Sequence, residues 1–478
     1  MFILANLLSP LQVSDNWQVL FPLAAQIGSI IGVAITSPIA RRLGIKKTVL
    51  VMLGFCAAFI TIPFLSNVPA TPNAGILFAG YFLQGIPWGV FQVLSPGYSS
   101  EIASLQLRPI LTTWNNLCWV IGQFLAAGVT AAVQKVEDTR AFKIPFAIQW
   151  VFVAILLVAV TFVPESPYWY LEAGRISEAR SATKRMVRKG SSERTEEKLA
   201  LMRHTLHQES NKDTEPEEGS WQRAKALFKG TDLRRTEIAC ITWAIQAMCG
   251  SNLIGWAIGL FESAGMSKEN AANVNIAVPG AGLVGTMASW WLMQYWGRRK
   301  IYFWGLVGMA VLLIGFALTS LGTSQAALWA GPGIFAIYTL IYDLTVGPVC
   351  YPIVSEIPSI RRRTSTLSAA RGTYLTVNLV NYFLTPKMIG NNVGQWNWGP
   401  KTGYLYAGLC ILGAVYTWFR LPEPSGVSAR ELDILFQNNV KTREFSQMKA
   451  AQLDAHEQGH VTAVMSHSSI HLGDSTKA

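Results

Sequence analysis

The chain has 478 residues, 51% of them hydrophobic and only 14% charged, where a soluble domain carries roughly a quarter charged. This excludes a single water-soluble globule. The net charge of +11 sits in loops between apolar runs and excludes a nucleic-acid-binding protein, while six cysteines without paired spacing, all in apolar stretches, exclude a disulfide-built secreted domain.

In chain order, MFILANLLSP has no basic n-region, so no secretory leader is expected. Apolar runs predict spans near 17–38, 48–66, 74–96, 110–133 and 143–163, then 237–262, 271–295, 301–321, 327–354, 364–389 and 402–421. These are about eleven helices of the length that ~30 Å of hydrocarbon requires. RRLGIKK (41–47), the 172–235 stretch, GRRK (297–300), RRR (361–363) and the tail fall on one side, which the excess of Lys and Arg assigns to the cytoplasm. NVPATPN (67–73) and LGTSQAA (321–327) fall on the other; QKVEDTRAFK (134–143) is the one outer loop with cations, offset by Glu137 and Asp138. The sequence thus predicts a bundle over 1–171, a cytoplasmic linker over 172–235, a second bundle over 236–421, and a largely disordered cytoplasmic tail over 422–478.

Signposts recur in order. Arg41 and Arg298, Glu101 and Glu356, and Pro164 and Pro422 are separated by 257, 255 and 258 residues, and each Glu is followed by an Arg seven positions on, Arg108 and Arg363. Two homologous halves follow, the parallel-repeat plan of a major facilitator transporter, with six spans in each. Shifting 237–262 back by the same offset places its counterpart mostly before Met1. The first helix is therefore expected to be absent from this chain, leaving about eleven of twelve spans. The expected fold is all-α: a polytopic membrane protein of two pseudo-symmetric helix bundles.

PESPYWYLEAGR (164–175), WGRRK (296–300), GPVCYPIVSEIPSIRRR (347–363) and PEPSGVSARELDILF (422–436) resemble the landmarks of the sugar porters. GIPWGVFQ (85–92), WNNLCWVIGQ (114–123) and SEIPSIRRRTSTLSAARGTY (355–374) are most similar to fungal α-glucoside, or maltose-type, permeases. The resemblance implies a sugar transporter of the plasma membrane rather than an enzyme. It implies uptake of a maltose-like disaccharide by proton symport, with sugar, protons and the bilayer as partners, no nucleic acid, no cofactor and a monomeric state. Facilitated transport of another sugar or polyol, a non-transporting sugar receptor and an inactive truncated transporter are the competing readings.

Three groups of residues carry the chemistry. Arg41, Arg42, Glu101, Arg108, Glu165, Arg298, Arg299, Glu356 and Arg363 stand at helix ends on the basic side, where ion pairs that form in one state and break in another bias the transport cycle; in the family such residues form an inner gate. Asn116, Gln123, Gln246, Asn252, Tyr351 and Tyr374 are polar residues at membrane depth, and amides with aromatic rings suit a pyranose, which offers hydroxyls and apolar C–H faces. The resemblance aligns Asn116, Gln246 and Asn252 with sugar-binding amides. Ala247 replaces the second Gln of hexose porters, and Tyr351 falls where many of them place Trp. Arg371, within a span, and Asp343, the one acid well inside another, are the candidate coupling residues; Asp343 is a partner for Arg371 or a proton site. GAGLVG (280–285) fits a dinucleotide fingerprint but lies inside a span, so helix packing explains it; HEQGH (456–460) fits a zinc pattern but lacks a third ligand, so no metal is expected.

Overall fold

A computed structural model describes residues 15–66, 74–104, 106–133, 140–187, 192–210, 222, 225–256, 261, 266–322, 325–360, 362–390, 395–427, 429–438 and 440–445. Among these residues there is no strand. The first half comprises α1 (Asp15–Leu43), α2 (Ile45–Leu65), α3 (Ala74–Ile102), α4 (Arg108–Val133) and α5 (Arg140–Phe162). Three polar helices follow, α6 (Pro167–Glu172), α7 (Ile176–Met186) and α8 (Ser192–Ser210). The second half comprises α9 (Gly230–Met248), α10 (Asn252–Gly255), α11 (Lys268–Tyr295), α12 (Arg298–Leu318), α13 (Gln325–Leu344), α14 (Val346–Glu356), α15 (Arg363–Ile389) and α16 (Thr402–Arg420), with α17 (Ala429–Gln437) beyond it.

Ten helical segments among the described residues are long and apolar enough to cross a membrane. The eleventh expected span is α15, whose 27 residues reach far enough but carry buried Arg371, Asn378 and Asn381. A membrane helix with that much polarity has to face protein or water rather than lipid. Conversely Val158, Trp291 and Leu412 stay exposed on the outer faces of their helices, as a hydrocarbon solvent requires.

Two expected spans are broken. The 237–262 span divides into α9 and α10 at Gly250, whose φ of +94° suits glycine and where an added Cβ would press on Tyr338 and Tyr406. The 327–354 span divides into α13 and α14 at Thr345, just before Gly347 and Pro348, residues that a continuous helix tolerates poorly. Each break falls beside a polar residue of the central region, Gln246 or Asp343.

Helix packing relies on small residues. Gly28 and Gly32 of α1 face Gly85 and Gly89 of α3 so closely that a Cβ at any of the four would strike a backbone carbonyl oxygen of the other helix, and Ser29 Oγ donates to Gly85 O at 3.1 Å. In lipid, where apolar side chains gain nothing by leaving solvent, close backbone approach is the main source of helix association. In α11, Gly285 meets the Leu340 carbonyl of α13 in the same way, so GAGLVG is packing surface.

The repeat register needs one correction. The sequence pairs Arg41-Arg42 with Arg298-Arg299, but the structure pairs Ile45-Lys46 with them. Glu165 accepts from the backbone N–H groups of Ile45 (2.9 Å) and Lys46 (3.1 Å) at the start of α2, and Glu423 accepts from those of Arg298 and Arg299 (both 3.0 Å) at the start of α12. Lys46 Nζ donates to Thr161 O at 2.6 Å and an Arg299 guanidinium nitrogen to Trp418 O at 2.7 Å, so the match extends to the side chains. A carboxylate at a helix N-terminus satisfies otherwise orphaned donors and opposes the positive end of the dipole.

The domain boundaries shift as well. The second bundle begins at Gly230 rather than 236, and the 172–235 stretch contains α7 and α8, joined by an Arg180–Glu196 ion pair at 2.7 Å. The tail is not largely disordered as far as 445. Leu432, Leu435 and Phe436 form an apolar helical face that packs into the second-half core with Val440 and Phe445. Asp433 pairs with Arg235 at 2.5 Å, and Arg234 lies 5.4 Å from the Phe436 ring. The expected missing first helix concerns 1–14 and the positions before them, and HEQGH (456–460) lies in the tail beyond 445; both fall outside the described residues.

Candidate functional site

The centre of the molecule, where α1, α3 and α4 meet α9, α11, α14 and α15, gathers most of the predicted polar residues. Arg371 of α15 is 3% exposed. Its Nε–H donates to Gln92 Oε1 of α3 at 2.7 Å, across the two halves. Its guanidinium stacks 3.9 Å from the Tyr374 ring centroid and 5.2 Å from that of Trp243, and it is hydrogen-bonded to Tyr351. A desolvated cation costs several kcal/mol and cation–π contacts return about 2 kcal/mol, so neutral neighbours leave it under-compensated.

Asp343, 3% exposed, does not pair with Arg371. Its Oδ1 accepts from Asn116 Nδ2 at 2.9 Å, and the same amide nitrogen donates to Thr286 Oγ1 at 3.2 Å. Asn116 therefore ties α4 of the first half to α11 and α13 of the second. Gln123 lies two turns along the same helical face as Asn116, yet it is exposed, so this face turns from interface to open space along its length.

Gln246 is buried; its Nε2 donates to Gly347 O at 3.1 Å, while its Oε1 has no partner. A buried carbonyl oxygen left without a donor costs about 1–3 kcal/mol. Asn252 donates to Asn378 at 2.7 Å and so belongs to the α10–α15 contact. Tyr351 stands edge-on to Trp243 with centroids 6.2 Å apart. The sequence did not single out Gln92, Thr286 or Trp243. Gln92 had a signal, as a polar residue within a span, but Trp243 looks like any buried aromatic.

A second cluster lies at the basic end. Arg298 pairs with Glu356 at 3.1 Å, both nearly buried, and Arg108 of the other half also acts on Glu356. Symmetrically, Glu101 interacts with Arg363 of the other half and accepts from Ser166 Oγ at 2.6 Å. Each half's Glu thus faces the other half's Arg. Arg108 Nε, Arg298 Nε, Arg363 Nε and Glu356 Oε2 are buried without a hydrogen bond, so the cluster is not at its bonding optimum. Ser37 and Ser365, 2.9 Å apart, add a neutral contact between α1 and α15 there. Arg41 and Arg42 are exposed, and Glu165 and Arg299 serve the helix-end contacts within their own halves described above.

Two helical halves in a bilayer, joined by a polar and aromatic centre and by a ring of charges at one end, define a membrane transporter for a polar solute. The sequence profile described as Sugar (and other) transporter matches residues 2–436, and the chain belongs to that family. It is 34% identical over 444 residues to an alpha-glucosides permease of Saccharomyces cerevisiae, covering 92% of this chain and 72% of the relative. A maltose permease of the same species is 34% identical over 446 residues, covering 92% and 70%. The fold is that of the major facilitator superfamily. The solved proton:xylose symporter XylE bound to 6-bromo-6-deoxy-D-glucose superposes with a TM-score of 0.78 at 19% identity, covering 91% of this chain and 93% of the other.

Proposed function

We propose that this chain moves an α-linked disaccharide such as maltose across the plasma membrane, by proton symport and alternating access. The observation that carries the reading is the set of Gln246, Arg371, Tyr351 and Tyr374 between the halves, with Asn116 bridging them. Together they gather amides, a cationic donor and aromatic rings in one region, the groups that a polyhydroxylated ligand calls for. The α-glucoside and maltose permeases among its relatives support the disaccharide.

Coupling is assigned to Asp343 and Arg371. Asp343 is the proton site, as the acid that the described residues place inside a span, held by an amide that reaches it from the other half. Its proton state is linked to the relation of the halves through Asn116. Glu101–Arg363 and Glu356–Arg108 close the basic end, taken as the cytoplasmic one, and their separation opens it. Gln123 lies on the approach, and Asn252 holds α10 to α15.

The test is accumulation of labelled maltose in cells lacking their own transporters. Accumulation that collapses with a protonophore supports symport. Equilibration without accumulation favours facilitated diffusion, and no uptake by protein present at the surface rejects transport in favour of a receptor or inactive form.

A further inference from the structure

At the basic end of the second bundle, cations gather on aromatic rings that face outward. Arg299, in the first turn of α12, donates from a guanidinium nitrogen to Trp418 O at 2.7 Å and lies 5.8 Å from the Trp418 ring centroid. Arg443 of the docked tail reaches the same ring from a different element, 5.2 Å from its centroid and 5.7 Å from that of Phe419. Lys300 and Trp304, four residues apart on one face of α12, are both exposed, and the neighbouring Phe303 packs on Trp418 with centroids 5.2 Å apart. We propose that Arg299, Lys300 and Arg443 form a site for the headgroup of an anionic phospholipid, which staples the tail to the ends of α12 and α16.

The depth of the rings and the charge above them select the occupant. Trp304, Trp418 and Phe419 are 59%, 46% and 62% exposed and stand in the first two turns of α12 or the last turn of α16, the level where amphipathic rings mark the edge of the hydrocarbon. Whatever fills this corner has to be apolar below and anionic above, which a phospholipid is and a soluble anion is not. The basic end, taken as the cytoplasmic one, faces the leaflet that holds anionic lipid. A guanidinium held on a ring face still presents N–H donors at its edge, and these meet a phosphate through paired bonds. Arg443 also acts electrostatically on Arg299, so two like charges share one ring, and a phosphate between them turns that repulsion into attraction. The acids of the corner serve other groups: Glu423 caps α12, and Glu237 pairs with Arg420. Arg234 holds Thr442 at 3.1 Å, so the tail delivers Arg443 to this corner, and a lipid bound there resists its release.

The experiment uses the full chain purified in neutral detergent, as the parent, R443Q, K300Q or the control K401Q, whose exposed lysine precedes α16 at its other end. Phosphatidylserine and phosphatidylcholine retained by the protein are counted by native mass spectrometry. Cleavage of the tail by chymotrypsin, which does not cut at the cations being changed, is timed with each lipid and with inorganic phosphate. Phosphatidylserine is expected to be retained about tenfold better than phosphatidylcholine and to slow tail cleavage by a similar factor. Both effects should fall in R443Q and in K300Q and persist in K401Q; K300Q lies outside the tail and keeps the comparison valid where R443Q alone releases it. Equal retention of the two lipids, or a phosphatidylserine preference unchanged in R443Q and K300Q, overturns the site. Inorganic phosphate that protects the tail as well as phosphatidylserine replaces the lipid by a small anion, and a lipid preference with unchanged cleavage overturns the staple. No transported solute enters the measurement, so its failure leaves the disaccharide reading untouched.

Discussion

Two residues of the centre lend themselves to direct test. Gln246 donates to Gly347 and leaves its Oε1 without a partner, so on the proposed reading Gln246→Ala removes a sugar contact. Half-maximal maltose uptake is expected to require about tenfold more sugar, the equivalent of ~1.4 kcal/mol for one hydrogen bond, at unchanged surface abundance. An unaltered concentration dependence would remove Gln246 from the site. Asn116 differs, because its amide serves Asp343 and Thr286 rather than standing free. Asn116→Ala leaves a buried carboxylate short of a donor, a loss of about 1.5–3 kcal/mol. It should lower thermal stability as well as transport; a variant that melts normally while losing only affinity would make Asn116 a plain ligand contact. Residue type and span depth made both positions legible in the sequence. Whether each amide was occupied was not, because that depends on what the other half presents.

At the scale of elements, the α1–α3 crossing and the docked tail make separate demands. Gly85→Leu would drive a side chain into the Ala25 carbonyl, whereas Gly54, also in a membrane helix, has open space around the position of a Cβ. Gly85→Leu is therefore expected to abolish the monodisperse peak in detergent chromatography and Gly54→Ala to preserve it; equal profiles would mean the crossing is not needed for assembly. Phe436 is fully buried beside Arg235, 4.7 Å from its ring centroid. Truncating a buried aromatic costs roughly 3–5 kcal/mol. Phe436→Ala should expose 429–445 to limited proteolysis, and unchanged cleavage would show that the tail adds nothing to the fold. Composition hid this element. Its apolar residues are few, but three of them share a helical face and meet a core that another element provides.

For the whole molecule, the charges at the basic end act between the halves, where the proposed cycle would part them. Glu356→Gln removes the group that answers both Arg298 and Arg108 and leaves two buried cations facing each other's field. The expected result is a shift in labelling of single engineered cysteines, more at the basic end and less at the opposite end, with sugar affinity changed far less than transport rate. A labelling ratio equal to the parent's would confine Glu356 to folding.

The apolar spans, their order, the two-fold repeat and a set of charges at one end of the helices were legible in the sequence alone. They follow from local hydropathy and fixed spacing, which need no partner. The helix breaks at Gly250 and Thr345, the capping role of Glu165, the Ile45-Lys46 register and the separation of Asp343 from Arg371 were decided by tertiary structure. A helix repeats every 3.6 residues, so a pattern of spacing says which face a residue occupies but not which of several neighbouring helices meets it. That choice sets whether a buried charge meets an acid, an amide or an aromatic ring, and here, among the described residues, it gave Arg371 an amide and aromatic rings.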